Sequence, residues 1–480
     1  MVKSHKTEGR NCTSDFILQS SLAYSNGYTV WKALGNKFFG VRWKLIGDIQ
    51  KISLPHRIPT FPRPSQLTTF DHTQIFVIAA LLAPLCLATS ARAANPQHVQ
   101  RLLDLKVCPG CDLEGAQLKG VNLRDANLTD AQLKGANLTG TDLTGATLER
   151  AQMAGVQMSG AILEKANLRE VKLAADDKVV ADLKNANLTG ADLQAANLTG
   201  AQMDSAKLDS ANLVETNLNQ ANLPQASLQQ ANLRQAKLSN VKLSGANLTG
   251  AKLNNADLDT ASLDGANLSN AELNQANLAS ANLNSAILSQ AKLQGVLLAG
   301  ANLEKANLSG ADLSNASLKG AALNSANLSA ANLSSANMAN AKLAIANLTD
   351  ADLTGASLNL ANLENANLER AGLCGVDLRQ AQLPSANLSS ATLIGATLIG
   401  GNLGGAKLLN ANLTYTNLST ADLRRANLGG ANLSFANLNQ ADLGEANMAG
   451  ANMSGAKLEN AKINNAIGLN TSSPAQKAAP

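Results

Sequence analysis

The sequence predicts an all-β coil, in which short extended pieces and bends alternate and one leucine per piece points inward. Three observations carry this. First, from Cys111 to about Asn465 an apolar residue recurs at every fifth position, from Leu113 to Ile463, through 71 consecutive units. Leu holds 63 of these centres, Met six (Met153, Met158, Met203, Met338, Met448, Met453) and Ile463 one, which leaves Lys178 as the one centre that is not apolar. Second, the residue two before each centre is small, nearly always Ala, and the residue one before is usually Asn or Asp. Third, the two residues after each centre are polar or small: Thr, Ser, Asn, Gln or Gly.

A period of five suits neither regular structure. An α-helix turns about 100° per residue, so a step of five advances about 140° and scatters the leucines over every face. Along a flat strand side chains alternate faces, and an odd step sends successive leucines to opposite sides. Short extended pieces separated by bends avoid both outcomes. The small residue two before the centre then shares the inward face, and Asn, Asp and Gly serve the bends. Such a chain coils, and its coils stack by backbone hydrogen bonds at about 4.8 Å per layer.

The units A-N-L-T-G (136–140), A-D-L-S-N (311–315) and A-K-L-N-N (251–255) resemble the pentapeptide-repeat family, whose A-(D/N)-L-X-X signature they match over some three quarters of the chain. The resemblance implies a right-handed quadrilateral β-helix with four units per coil. The 71 units then make about 18 coils, a rod of roughly 85 Å at the strand spacing. Each buried Leu contributes about 1.5–3 kcal/mol, and stability is close to a sum over neighbouring coils. The unit Asp176-Asp177-Lys178-Val179-Val180 departs from the pattern, with Asp in the small slot and Lys at the centre. Burying both without partners is costly, so a loop is expected at about 174–180. The phase resumes at Ala181 and Leu183.

Residues 1–74 have another composition. They hold five of the seven Phe, both Trp (Trp31, Trp43), two of the three Tyr, and ten Lys or Arg against four Asp or Glu. They show no period and read as a basic, non-repetitive extension, disordered or not translated. Residues 75–93 contain the uncharged run Ile75–Ala88, followed by Ala91-Arg92-Ala93. An apolar stretch of this length ending in A-x-A reads as a secretory signal cleaved between Ala93 and Ala94, and it is short for a spanning helix. Its internal position leaves three readings. Translation starts near Leu67 at a non-Met codon; or the segment is an uncleaved membrane anchor with its basic side in the cytoplasm; or it is part of a two-part organelle transit sequence.

Residues 95–106 read as a capping helix. Asn95 suits the N-cap and Pro96 the first helical position. Val99, Leu102 and Leu103 form one apolar stripe to cover the first coil, as solenoids require. The repeat itself occupies 107–466. The tail 467–480 reads as disordered and offers only Ile467 and Leu469 to the far end, so another molecule, or an end-to-end dimer, is the alternative cover.

Cys108-Pro109-Gly110-Cys111 joins cap and coil. A C-x-x-C pair can be a redox site, but no βαβ pattern surrounds it, and that context is what such a reading needs. A structural disulfide or a pair of buried thiols is favoured, with Cys111 in the small inward slot. A zinc site needs two more ligands, and only His98 is near. Cys374, one past Leu373, is expected to face solvent and to be unpaired.

The repeat has no His, hence no Ser-His or Cys-His pair, and no glycine-rich phosphate loop. No catalytic residue, cofactor or metal is expected. Thr249, Ser269, Ser289, Ser309, Ser329 and Thr349 recur every 20 residues and should stack as a hydroxyl row, able to bind water, ice or a polar partner but more simply read as a solvated side. Residues 107–466 carry 25 Lys or Arg and 30 Asp or Glu, a net −5. That is weak beside the one charge per ~1.7 Å of DNA, and no centre is Phe, whereas the family's topoisomerase-binding DNA mimics resemble one another in inward Phe residues and a dimer seam. The leading reading is a non-catalytic protein-interaction rod in a periplasm or thylakoid lumen, since the long Ala/Asn/Leu form with a CPGC start resembles cyanobacterial members. The alternatives are a membrane-anchored rod on the exported side, a cytoplasmic topoisomerase-binding DNA mimic, and a thiol–disulfide protein using Cys108 and Cys111. The partner is an unknown protein; no nucleic acid is expected, and a membrane only through residues 75–93.

Overall fold

The computed structural model describes residues 94–174 and 180–469. The extension 1–74, the segment 75–93 with Ala93, the centre of the expected loop with Asp176, Asp177 and Lys178, and the tail from Asn470 lie outside the described residues.

The repeat is a four-sided solenoid. Each unit contributes one bridging residue, the one before the centre, and bridges run parallel between residues 20 apart, as in Asn282↔Asn302↔Ala322. Four units therefore close one coil. Each side is a single bridging residue rather than a longer strand, because a corner follows every centre. The centres and the small slots are buried almost throughout, as one continuous core of Leu, Ala and a few Met and Val.

Unit 301–305 shows how the backbone is closed. Ala301 N–H donates to Leu298 O across the corner (3.1 Å), Asn302 N–H to Ala281 O in the preceding coil (2.9 Å), and Leu303 and Lys305 N–H to Ala322 O and Asn324 O in the next (2.7 and 3.0 Å). One amide is left over, that of Glu304. It donates to Oδ1 of Asn302 at 3.1 Å. This is the work of the Asn or Asp before the centre. Its backbone bridges, and its short side chain accepts the amide two residues on, an Asx turn. The sharpest bend falls at the residue two after the centre, whose φ is positive in every described unit.

Several units with another residue at the bridging position borrow their acceptor from the preceding coil. Lys342 cannot accept, and Ala344 N–H donates to Asn324 Oδ1 of the preceding coil (3.1 Å). The same substitution closes Ser239 with Asn219, Asn274 with Asn254, Gln294 with Asn274 and Glu459 with Asn439. Replacing Asn324 by Ala should cost about 1 kcal/mol, the size of one net hydrogen bond. Adding Lys342→Asn should recover it by restoring an acceptor within the unit. Chemical denaturation of both variants checks this, and a double variant as weak as the single one would refute it.

Across residues 157–172 the ladder step changes. Gln157 bridges Asp182 and Lys172 bridges Asn197, 25 residues on, after which the step returns to 20 with Asp182↔Gln202. The ladder passes over five residues, and all later units keep their inward phase.

The N-terminal end is closed by α1, Pro96–Leu105. Asn95 Oδ1 accepts the Gln97 N–H (3.0 Å), Pro96 opens the helix, and Lys106 ends it in the left-handed conformation, its N–H donating to Leu102 O. Leu102 is buried, with Val99 and Ala94 packed against the same core. Leu103 is exposed, so the stripe is narrower than the sequence suggests. Cys108 and Cys111 join Leu102 in the core at this end. Among the described residues the other end has no such cover: Met453 and Leu458 are half-buried, and Ile463 and Ile467 are exposed.

Candidate functional site

The surface is built from two outward positions per side and one left-handed corner. The bridging side chains stack in columns, and Asn residues in successive coils link amide to amide, Asn327 Nδ2 donating to Asn307 Oδ1 (3.2 Å) and Asn347 Nδ2 to Asn327 Oδ1 (3.1 Å). The hydroxyl row stands in a single column beside this one. Three of its six hydroxyls turn back rather than outward: Thr249, Ser269 and Thr349 each donate to the Oδ1 of the Asn two residues before, at 2.6 Å. Ser289 follows Ile287, which offers no acceptor, and reaches Ser269 Oγ at 3.3 Å. Half of the row thus closes its own turns, which disfavours it as a binding face.

Cys108 and Cys111 are joined in a disulfide with Cα atoms 5.4 Å apart, and both residues are buried. His98 stands above them on α1. Its carbonyl oxygen lies 3.3 Å from Cys108 Sγ, and its Nδ1 accepts the Asp112 N–H at 3.0 Å. The imidazole thus fastens cap to coil. Among the described residues no group of three or more His, Cys, Asp or Glu stands together as a metal site. Cys374, expected to face solvent unpaired, is instead only 9% exposed and is disulfide-bonded. Three Thr residues that the pattern reading passed over occupy small inward slots: Thr141, Thr216 and Thr416 are buried, and their hydroxyls donate to the carbonyls of Leu118, Leu193 and Leu393 at 2.7–2.8 Å. The methyl fills the Ala volume, and the hydroxyl finds a carbonyl already turned inward.

Charged side chains meet one another on the surface. Arg370 holds Asp350, and Arg150 holds Asp130, each from one coil up through two guanidinium nitrogens at 2.8–2.9 Å. Arg424 and Arg379 fold back on Asp422 and Asp377, and these hydrogen bonds hold both carboxyls below their ordinary values. Being exposed, each pair adds little to stability. An open hollow of about 650 Å³ lies among Gly404, Gly405, Asp422, Arg424, Asp442 and Glu445, with its charges paired as Arg424–Asp422, Arg425–Glu445 and Lys462–Asp442. Among the described residues no helix is long and apolar enough to cross a membrane.

The family model for pentapeptide repeats matches residues 110–174 and 181–465 in overlapping copies. No curated protein matches the chain significantly. Among solved structures, HetL, a pentapeptide repeat protein involved in heterocyst differentiation regulation from the cyanobacterium Nostoc sp. strain PCC 7120, is 36% identical. That match covers 49% of this chain and 90% of HetL, with a TM-score of 0.24. A pentapeptide repeat protein from the Arabidopsis thaliana thylakoid lumen is 32% identical over 19% of this chain and 60% of its own, with a TM-score of 0.15. QnrB1, a plasmid-mediated fluoroquinolone resistance protein, is 17% identical over 38% of this chain and 88% of its own, with a TM-score of 0.22.

Proposed function

The chain belongs to the pentapeptide-repeat family, and on that premise we propose that it is a non-catalytic, exported protein-interaction rod. Its fold is the right-handed quadrilateral β-helix of about 18 coils implied by that family. The observation that carries export is the disulfide between Cys108 and Cys111, buried where cap meets coil. Disulfides persist in oxidising compartments, and this one is closed off from a substrate thiol, which supports a structural clip over a thiol–disulfide activity. The compartment is a periplasm or a thylakoid lumen, reached by cleavage between Ala93 and Ala94; retention of residues 75–93 as an anchor is the alternative. The acidic side chains held by Arg370, Arg150, Arg379 and Arg424 support a mixed protein-binding surface over a DNA-like field. At the C-terminal end of the described residues Leu458 is half-buried and Ile463 and Ile467 are exposed, and residues 470–480 hold no large apolar side chain. A partner protein or a second copy is the cover that fits there.

Cell fractionation with mass spectrometry of the N-terminus tests the reading. A chain beginning at Ala94 in the soluble exported fraction is expected. A chain in the cytoplasm with reduced Cys108 and Cys111 would overturn it, and inhibition of DNA supercoiling by that chain would establish the DNA mimic instead.

A further inference from the structure

Tyr415 and Phe435 are the only Tyr, Phe or Trp residues of the repeat, and neither serves the core. Both stand at the left-handed corner position, one coil apart, with φ of 57° and 60°. They are 57% and 56% exposed, and their rings stack with centroids 5.1 Å apart and planes 10° from parallel. Stacking on each other leaves most of both rings in water, and two adjoining exposed rings form a patch, which marks an interaction surface where a single exposed apolar side chain would not.

The corner column that holds them reads Gly355, Gly375, Gly395, Tyr415, Phe435, Gly455, each residue one coil above the last. On the C-terminal side Phe435 leans over Gly455, where an added Cβ would stand 2.6 Å from the ring. On the N-terminal side the space is open. A Cβ on Gly395 would meet nothing within 4 Å, and Gly375 and Gly355 continue the bare corner below it. The column is therefore two rings beside a glycine furrow of similar length.

Such a column complements itself when reversed. If a second copy is laid alongside, antiparallel, with a two-fold axis between the levels of 395 and 415, Tyr415 of each copy comes to the level of Gly395 of the other. Phe435 comes to the level of Gly375. Flanking residues pair without conflict: Ile394 comes level with Thr414, and Asp377, already held by Arg379, comes level with Asn437. No like charges oppose each other there. The two other corners that carry charged residues in these coils, Asp350 with Arg370 and Arg425 with Glu445, satisfy them within one chain.

We propose that the Tyr415–Phe435 stack and the Gly375–Gly395 furrow form an isologous, antiparallel side-to-side contact between two copies of this chain. The proposal does not depend on the compartment or on what covers the open end. Four rings bury roughly 150–250 Å² each, which together falls below the ~1,200 Å² of a standard stable interface. The dimer is thus reversible, with a dissociation constant on the order of micromolar or weaker.

Sedimentation velocity of the full chain over a wide concentration range tests it with two double variants. Tyr415→Ser with Phe435→Ser removes the knobs. Gly375→Gln with Gly395→Gln fills the furrow, and Gln already occupies this left-handed corner at Gln225, Gln275 and Gln380, so the fold should tolerate it. The wild type should dimerise with rising concentration. Each double variant should weaken the dimer at least tenfold, with an unchanged thermal melt. A wild type monomeric throughout would overturn the proposal. So would a dimer that survives both variants and is lost with Ile463→Asp, which would place the contact at the open end.

Discussion

Deleting residues 321–325 is expected to leave a folded solenoid without a new protease-sensitive loop, in which everything beyond the deletion is turned by one side, whereas deleting 321–340 should shorten the solenoid by one coil and turn nothing. The bridges join residues 20 apart, so the longer deletion removes four whole units and brings Gly320 against Ala341 in phase. The shorter deletion brings Gly320 against Ala326 with the inward pattern unbroken, and the units beyond it move up by one side. Asn302 then bridges Asn327 in place of Ala322, and the core loses about one buried unit, roughly 2–4 kcal/mol. Expelling units 326–340 as a loop to keep the old columns would give up three more buried units and add the cost of closing the loop. Limited proteolysis decides between the two, and equal resistance of both deletions is expected. A new cleavage region within 326–340 in the five-residue deletion alone would show that the side-chain columns outweigh the buried units, and the re-registration argument would fail.

Leu303→Asp should produce a comparable effect from a single residue. Leu303 is fully buried, and a carboxylate left there without a partner carries one of the larger penalties a substitution can impose, above about 4 kcal/mol. The solenoid has a cheaper response. Every unit carries the same inward pattern, so unit 301–305 can leave the wall while the units beyond it move up by one side, at the cost of about one buried unit, roughly 2–4 kcal/mol. The ladder already shows such a step, from Gln157↔Asp182 to Lys172↔Asn197, across the segment holding the one charged centre, Lys178. The expected result is a folded protein with a lowered melting temperature and a new cleavage site within 301–305. Leu303→Met should cost less than about 1.5 kcal/mol, because Met153, Met158, Met203 and Met338 are fully buried centres. Cooperative loss of the whole fold in Leu303→Asp would show that units cannot be expelled singly.

The legible part of this molecule was what repeats every five residues. Inward Leu and Ala, the corner after each centre, and the cap opened by Asn95 and Pro96 all follow from local pattern. What repeats every 20 residues was not legible from the period itself, since a period of five does not say how many units close a coil; that came only with the family resemblance. Hence Asn324 reads as an ordinary corner residue, although it closes the amide of Ala344 one coil away. Tyr415 and Phe435 likewise stand 20 residues apart in the sequence and touch only because four units close a coil. That Asn and Asp serve the bends was legible; how the one before each centre does so was not. Only the leftover amide of each unit shows that its side-chain oxygen closes the turn. Leu103 failed because the helical stripe says which residues are apolar, not how wide a surface the coil end can cover.

The five residues that the ladder passes over do more than interrupt it. Before them, the corner holding Asp130 and Arg150 belongs to one line of sight along the axis. After them, every later feature, from the amide columns to the aromatic stack, is displaced by a quarter turn from where an unbroken count would have set it. Chain distance here is also compass heading. Insertions in multiples of 20 lengthen the solenoid without re-aiming it, and single units re-aim everything downstream without disturbing the core. A protein of this design can bring two distant surface features onto the same heading, or take them off it, by gaining or losing five residues between them.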